Sequence, residues 1–215
     1  FPKMFMNTFV IAIFTCIIST IFVLSVAYSM SRMRFKMRKP FMNIAMIIGL
    51  FPSFMSMIAV YYILRALNLA DGAMIRVALI IVFSAGSGAG FYVAKGFFDT
   101  ISKSLDEAAI IDGATRWNVF TKITVPLSKP IIVYTILTSF MGPWVDFIFG
   151  KVICRADAQY YTVSIGLWKM LEKEYIDSWY TCFAAGAVVV SIPIAILFLM
   201  TQKFYVEGMT GAVKG

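Results

Sequence analysis

The fold this sequence predicts is an all-α, polytopic membrane protein, and three observations predict it. Five apolar stretches are each long enough to cross a hydrocarbon layer ~30 Å thick. Hydrophobic residues make up 60% of the chain, only 14% is charged, and mean hydropathy is +0.85, a balance foreign to soluble domains. The Lys and Arg behind the net charge of +8 collect in a few loops, as the positive-inside rule expects. Residues 1–215 read as a single transmembrane domain. The chain begins at Phe1 rather than Met, which leaves room for a preceding helix and makes five spans a minimum.

The first span is Met4 to Ser31, uncharged between Lys3 and Arg32. Ser31-Arg-Met-Arg-Phe-Lys-Met-Arg-Lys-Pro40 follows, five cations without an acid, and reads as a solvated cytoplasmic loop. Nothing in that run points to lipid-specific or nucleic-acid binding. The second span, Phe41 to Leu64, contains Pro52, which removes a helical hydrogen bond and kinks it. Tyr61 and Tyr62 fall at the outer interface, and Arg65 to Arg76, with Asp71-Gly72, reads as an external turn. The third span, Val77 to Ala94, carries Ser84-Ala-Gly-Ser-Gly-Ala-Gly90. It lacks the Lys-Ser/Thr of a phosphate loop. Gly86 and Gly90 instead form a face of small residues, suited either to packing within the chain or to contact with a partner subunit.

Within the cytoplasmic loop 99–130, Leu105 to Pro130 is the only long stretch that carries both signs of charge and still reads as helix. Ser104-x-x-Glu107 fits a capping box. Leu105, Ala108, Ala109 and Asp112 recur at helical spacing until Gly113 interrupts it. A glycine within a helix costs about 1 kcal/mol relative to alanine, so it asks for a reason: a positive-φ turn or a close backbone approach. Pro126 and Pro130 close this segment, which two spans place on the same cytoplasmic side as the first basic loop. The fourth span, Ile131 to about Phe149, ends in Gly142-Pro-Trp-Val-Asp-Phe147. Trp144 and Asp146 are either a substrate-pathway pair, a stacking face beside a hydrogen-bonding acid, or an interfacial indole next to a solvated carboxylate. Residues 151–180 form the longest extracytoplasmic segment, with Val163–Leu171 as a small amphipathic helix on the membrane surface. The last span, Thr181 to about Thr201, holds Pro193 as a kink. Twelve of the 19 Lys and Arg then face the cytoplasm, which supports this orientation.

Histidine is absent, and Cys16, Cys154 and Cys182 have neither metal-ligand spacing nor a disulfide framework. No ATP-binding motif occurs in the chain. An intramembrane enzyme would need a nucleophile with a base. An ion-coupled secondary transporter would place ionisable residues near the midplane of broken helices, whereas the acids here cluster in loops.

Glu107-Ala108-Ala109, three residues, Gly113, nine residues, then Ile123-x-Val125-Pro126 resembles the EAA loop of ABC importer permeases, with Val125 where Leu is usual. The arrangement of spans is similar to the MetI-like core of binding-protein-dependent transport inner membrane components. The ending Glu207-Gly-Met-Thr-x-Ala-Val-Lys-Gly215, the segment Gly142 to Phe147, and Tyr161-Thr-Val-Ser-Ile-Gly-Leu167 resemble its carbohydrate branch, the maltose/maltodextrin permeases of the MalG type. Many sugar permeases of that class have Trp-Asn where Trp144-Val145 stands here.

This resemblance implies about five transmembrane helices with a cytoplasmic coupling helix, in a permease subunit of an ATP-driven sugar importer. Glu107, Ala108, Ala109, Asp112, Gly113, Ile123 and Pro126 would dock onto the ATPase. It implies no cofactor or metal on this chain, ATP and Mg being held by the ATPase. The implied partners are a second permease subunit in a heterodimer, two ATPase subunits, and an extracytoplasmic solute-binding protein meeting residues 151–180. Lipid surrounds the spans, in the plasma or inner membrane of a prokaryote. The EAA loop alone suits an amino-acid or phosphate importer equally; the argument for sugar rests on the C-terminal resemblance.

Overall fold

The computed structural model describes residues 1–50, 53–86, 90–155 and 157–212, and every regular element among them is helical. Helix α1 (Pro2–Arg32) opens with proline in its first turn, where the missing N–H costs nothing. Its buried stripe mixes small and hydroxylic residues, Thr8, Ala12, Thr15, Ser19, Ala27 and Ser31, with the larger Ile11, Val23, Leu24, Tyr28 and Met30. The large residues Phe14, Ile17, Ile21 and Phe22 point outward. Large apolar residues therefore occupy both faces, unlike a soluble helix. In lipid, apolar bulk gains nothing by turning inward, whereas small side chains let backbones approach closely.

The second expected span is divided into α2 (Arg38–Gly49) and α3 (Ser53–Ala66); Pro52, and the kink expected there, lie outside the described residues. The third is α4 (Met74–Gly86) and α5 (Gly90–Thr100), inclined at 44°. Because α5 extends beyond Ala94, Lys95 and Asp99 sit one turn apart and pair. A segment of short helices follows: α6 (Lys103–Ile111), α7 (Arg116–Val119), a π-helical turn (Phe120–Thr124) and α8 (Val125–Leu127). Helix α9 (Lys129–Val145) then leaves at 80°. The chain ends with α10 (Ile148–Cys154), a 3-10 turn (Ala158–Tyr160), α11 (Val163–Met170) and α12 (Ile176–Ala212).

Among the described residues, α1 and α12 are long and apolar enough to cross a membrane, and the bent pairs, α4 with α5 and α7–α8 with α9, bring the number to at most four if each pair is one broken span. Helix α1 is the central post against which α4, α5, α9 and α11 pack, while α12 leans on α9 and α11. Helix α12 is continuous through Pro193.

The helix expected over Val163–Leu171 forms as α11, but it does not lie on the surface: Val163 and Ile165 are fully buried. Two polar residues of α1 draw it in. The Asn7 side chain donates to the Gln159 and Tyr161 carbonyls at 2.9 and 3.2 Å, and Thr8 Oγ1 accepts the Val163 N–H at 2.8 Å. The orphan donor at the α11 N-terminus is thereby satisfied from another helix.

Candidate functional site

Helix α6 is capped two residues earlier than its sequence suggests. Ser102, not Ser104, is the N-cap, and its oxygen accepts the Ser104 N–H at 3.3 Å, so Glu107 takes no part in a capping box. Both serines can cap, and Ser102 wins because its backbone is extended (ψ 131°) where the chain turns out of α5. At the other end, Gly113 stands just beyond the helix at φ +86°. Its N–H bonds the Ile110 carbonyl (3.0 Å) and the Ala114 N–H bonds the Ala109 carbonyl (2.9 Å), the paired bonds of a Schellman cap. Positive φ is therefore the reason for glycine within this chain, and a Cβ there would meet nothing within 4 Å.

Between these caps α6 has two faces. Lys103, Asp106, Glu107 and Ile110 line a pocket against the end of α1. Leu105, Ala108, Ile111 and Asp112 are exposed, about half a turn of the helix wheel away. Ala109 is half-buried between the faces. Ile111 is 85% exposed and Trp117, on α7, 69%. Neither stood out in the sequence; the available signal for Ile111 was an Ile pair closing a helix that also carries Lys103, Asp106 and Glu107.

Arg32 fixes this helix to the transmembrane core. Its Nε lies 3.2 Å from Asp106 Oδ2, with side chains 4% and 13% exposed, and its Nη2 donates to the Phe98 and Ile101 carbonyls at 3.0 and 2.8 Å. One guanidinium thus ties together the ends of α1, α5 and α6. The reading of Ser31 to Pro40 as a uniformly solvated loop is corrected here: its first cation is buried. The partner is distant in sequence, so no local pattern announces it.

Ile123 and Pro126 lie in the π turn and α8. Proline at 126 has no N–H for the Lys122 carbonyl, and its ring would strike that carbonyl in an α-helix. The chain widens instead, and Val125 N–H bonds Phe120 O five residues back. Ile123 is half-buried and Pro126 exposed. The 80° turn into α9 follows at Ser128.

A cavity of about 710 Å³ opens between α1, α3, α4 and α9, with Leu64, Phe83, Thr15, Ser139 and Asp146 among its walls. Asp146 and Trp144 part company there. Trp144 is 3% exposed, packed edge-on to Phe5 at 5.2 Å with Phe9 and Phe140 around it, and is not on the cavity wall. A stacking role beside Asp146, and equally an interfacial one, is corrected by that burial: α9 ends at Val145 and the chain turns extended at Asp146. Asp146 is not simply solvated either, since its Oδ1 accepts the Gly150 N–H at 3.0 Å and its carbonyl accepts from Ser164 Oγ.

The small-residue face divides in the same way. Gly90 faces Val23 of α1, where an added Cβ would make an ordinary contact at 3.8 Å. Gly86 does not: a Cβ there would meet nothing within 4 Å, because the position lines the cavity. Ser87, Gly88 and Ala89 lie outside the described residues.

With this geometry in place, known proteins are informative. The family model described as "Binding-protein-dependent transport system inner membrane component" matches residues 21–209. The galactooligosaccharides transport system permease protein GanQ of Bacillus subtilis is 35% identical over all of this chain and 75% of its own length. The maltodextrin permease MalD of Streptococcus pneumoniae is 32% identical over 98% of this chain and 74% of its own. The maltose/maltodextrin permease MalG of Escherichia coli is 33% identical over 88% and 64%. Among solved structures, a bacterial ABC transporter involved in import of the acidic polysaccharide alginate superposes with a TM-score of 0.78 at 26% identity, covering 95% of this chain and 75% of that one. The match of the family model to most of the chain, with relatives above 30% identity along it, shows that this chain belongs to the family of binding-protein-dependent transport system inner membrane components.

Proposed function

We propose that this chain is the transmembrane permease subunit of an ATP-driven importer of oligosaccharides, with α6 as the coupling helix that docks onto a separate ATPase. The observation that carries the proposal is the unpartnered apolar face of α6, Leu105, Ala108 and Ile111, on a helix capped at both ends and tied to the core through Arg32. The distribution of Lys and Arg supports a cytoplasmic position for it. Movement of the ATPase against α6 has two routes inward. One runs through the Arg32–Asp106 pair to α1, the other through the π turn and the 80° bend to α9. Both helices border the cavity, so a nucleotide-driven change of the ATPase dimer biases the transmembrane pathway between two states.

A second permease subunit completes the pathway, two ATPase subunits hold ATP and Mg, and a solute-binding protein delivers the sugar at the opposite end, near residues 151–180. The named solutes of the relatives support oligosaccharides over amino acids or phosphate. An ion-coupled mechanism has less support: Asp146, the one ionisable residue on the cavity wall among the described residues, is engaged in capping α10.

The test is ATP-dependent uptake of maltodextrin or galacto-oligosaccharide by proteoliposomes holding the co-expressed complex, with Ile111→Asp as the variant. Ile111 is so exposed that the spans should survive. Loss of the ~1.5–3 kcal/mol from burying an Ile should weaken ATPase co-purification roughly 10- to 100-fold, and uptake with it. Undiminished co-purification, or uptake that follows a proton gradient without ATP, would overturn the proposal.

A further inference from the structure

The inner face of α6 borders a pocket of about 140 Å³ that the docking role does not use. Arg32, Arg34, Arg38, Lys103 and Arg116 line it, against the two carboxylates of Asp106 and Glu107. Its excess of cations is matched by an unmet donor. The Arg32 side chain is only 4% exposed, and its Nη1 is buried with no acceptor among the described residues; Asp106 Oδ1 is likewise buried without a donor, but the five cations on the wall outweigh the two acids. A buried guanidinium donor left without an acceptor is costly, so the site favours an anionic oxygen.

The run from Ser31 to Pro40 gives no lipid-specific signal as a sequence, but its exposure beside the pocket says what bears that oxygen. Residues 33–37 alternate apolar and basic, and Met33, Phe35, Met37 and Phe41 are all exposed. They stand beside the pocket in sequence, at the end of a membrane-crossing helix. A free phosphate ion has no use for apolar neighbours, whereas a phospholipid carries its phosphate directly beside acyl chains. We propose that this pocket binds the headgroup phosphate of an anionic phospholipid, held by Arg32, Arg34 and Lys103 with its chains against Met33, Phe35 and Met37. Basic pockets between helices at the cytoplasmic face suit this chemistry. The site lies on the opposite side of α6 from Leu105, Ala108 and Ile111, so lipid and ATPase do not compete for one face. It is independent of which solute is carried.

The test uses the assembled transporter in phosphatidylcholine nanodiscs doped with phosphatidylglycerol, with retained lipid counted by native mass spectrometry. Arg34→Gln and Lys103→Gln, both exposed and clear of the core, should each weaken phosphatidylglycerol retention about fivefold. Lys36→Gln, in the same basic run but off the pocket wall, should leave it unchanged, and Arg34→Lys should restore most of the binding. Equal losses at Lys36 and Arg34 would mean diffuse attraction to a charged surface and would overturn the site. So would equal retention of phosphatidylcholine, or complete displacement of lipid by millimolar inorganic phosphate.

Discussion

Replacing Asp106 with Asn removes one charge from the pair that ties α6 to the core. Breaking a buried ion pair from one side costs about 3–5 kcal/mol, because the remaining charge stays buried. Here Arg32 keeps two carbonyl acceptors through Nη2, and Asp106 is 13% exposed. Both features soften the loss, so we set it at about 2–3 kcal/mol. The loss should appear locally, as easier opening of α6. Amide hydrogen exchange over 103–111 should therefore accelerate on the order of 30- to 150-fold, at about 1.4 kcal/mol per tenfold, while the amides of α1 keep their protection. Pairing Arg32→Met with Asp106→Leu removes both charges, and protection should return to within about 1 kcal/mol of wild type. In the assembled transporter, Asp106→Asn should hydrolyse ATP with less uptake per ATP consumed. If exchange in α6 changes less than threefold, the pair is not what holds this helix, and the route from α6 to α1 proposed above is wrong.

Gly113→Ala places a side-chain-bearing residue at φ +86° without any clash in this chain, so α6 should lose about 1–2 kcal/mol of local stability in the isolated subunit, and Gly113→Asn less. A further loss seen only when the ATPase is present would report close approach of that partner. Trp144→Ala should lower the yield of folded protein through about 3–5 kcal/mol of lost packing, whereas Trp144→Phe keeps a ring among Phe5, Phe9 and Phe140 and should retain uptake. A well-folded Trp144→Phe without uptake would show that the indole touches solute after all. Burial, with Asp157 adding to it, pushes the Cys154 thiol up to about 12. At pH 8 its thiolate fraction is on the order of 10⁻⁴, so maleimide labelling should be roughly a thousandfold slower than for an ordinary thiol until the protein is unfolded.

Much of this architecture is legible locally. The spans follow from apolar runs, α6 from its spacing, and the turn at Gly113 from glycine's tolerance of positive φ. What escaped depends on contacts between distant parts of the chain. Asn7 and Thr8 look like incidental polar residues in an apolar span until α11 docks on them. Arg32 looks like one more loop cation until Asp106 meets it. Trp144 and Asp146, two residues apart, invite a shared role, yet the helix ends between them and turns one into the core and the other onto the cavity. Ser102 and Ser104 are both competent caps, and only the path of the chain out of α5 decides between them.

The length of α12 carries a consequence of its own. Its uncharged stretch, residues 178–202 between Asp177 and Lys203, is 25 residues, or about 37 Å at 1.5 Å per residue, against a hydrocarbon layer of about 30 Å. Such a mismatch is relieved by leaning or by local thickening of the bilayer. Helix α12 rests on α9 through Val190, Ile194 and Leu197, beside Trp144. A thinner membrane should therefore lean α12 further and shift the support beneath α9, so that bilayer thickness becomes a mechanical input to the helix that leads out of the proposed coupling segment.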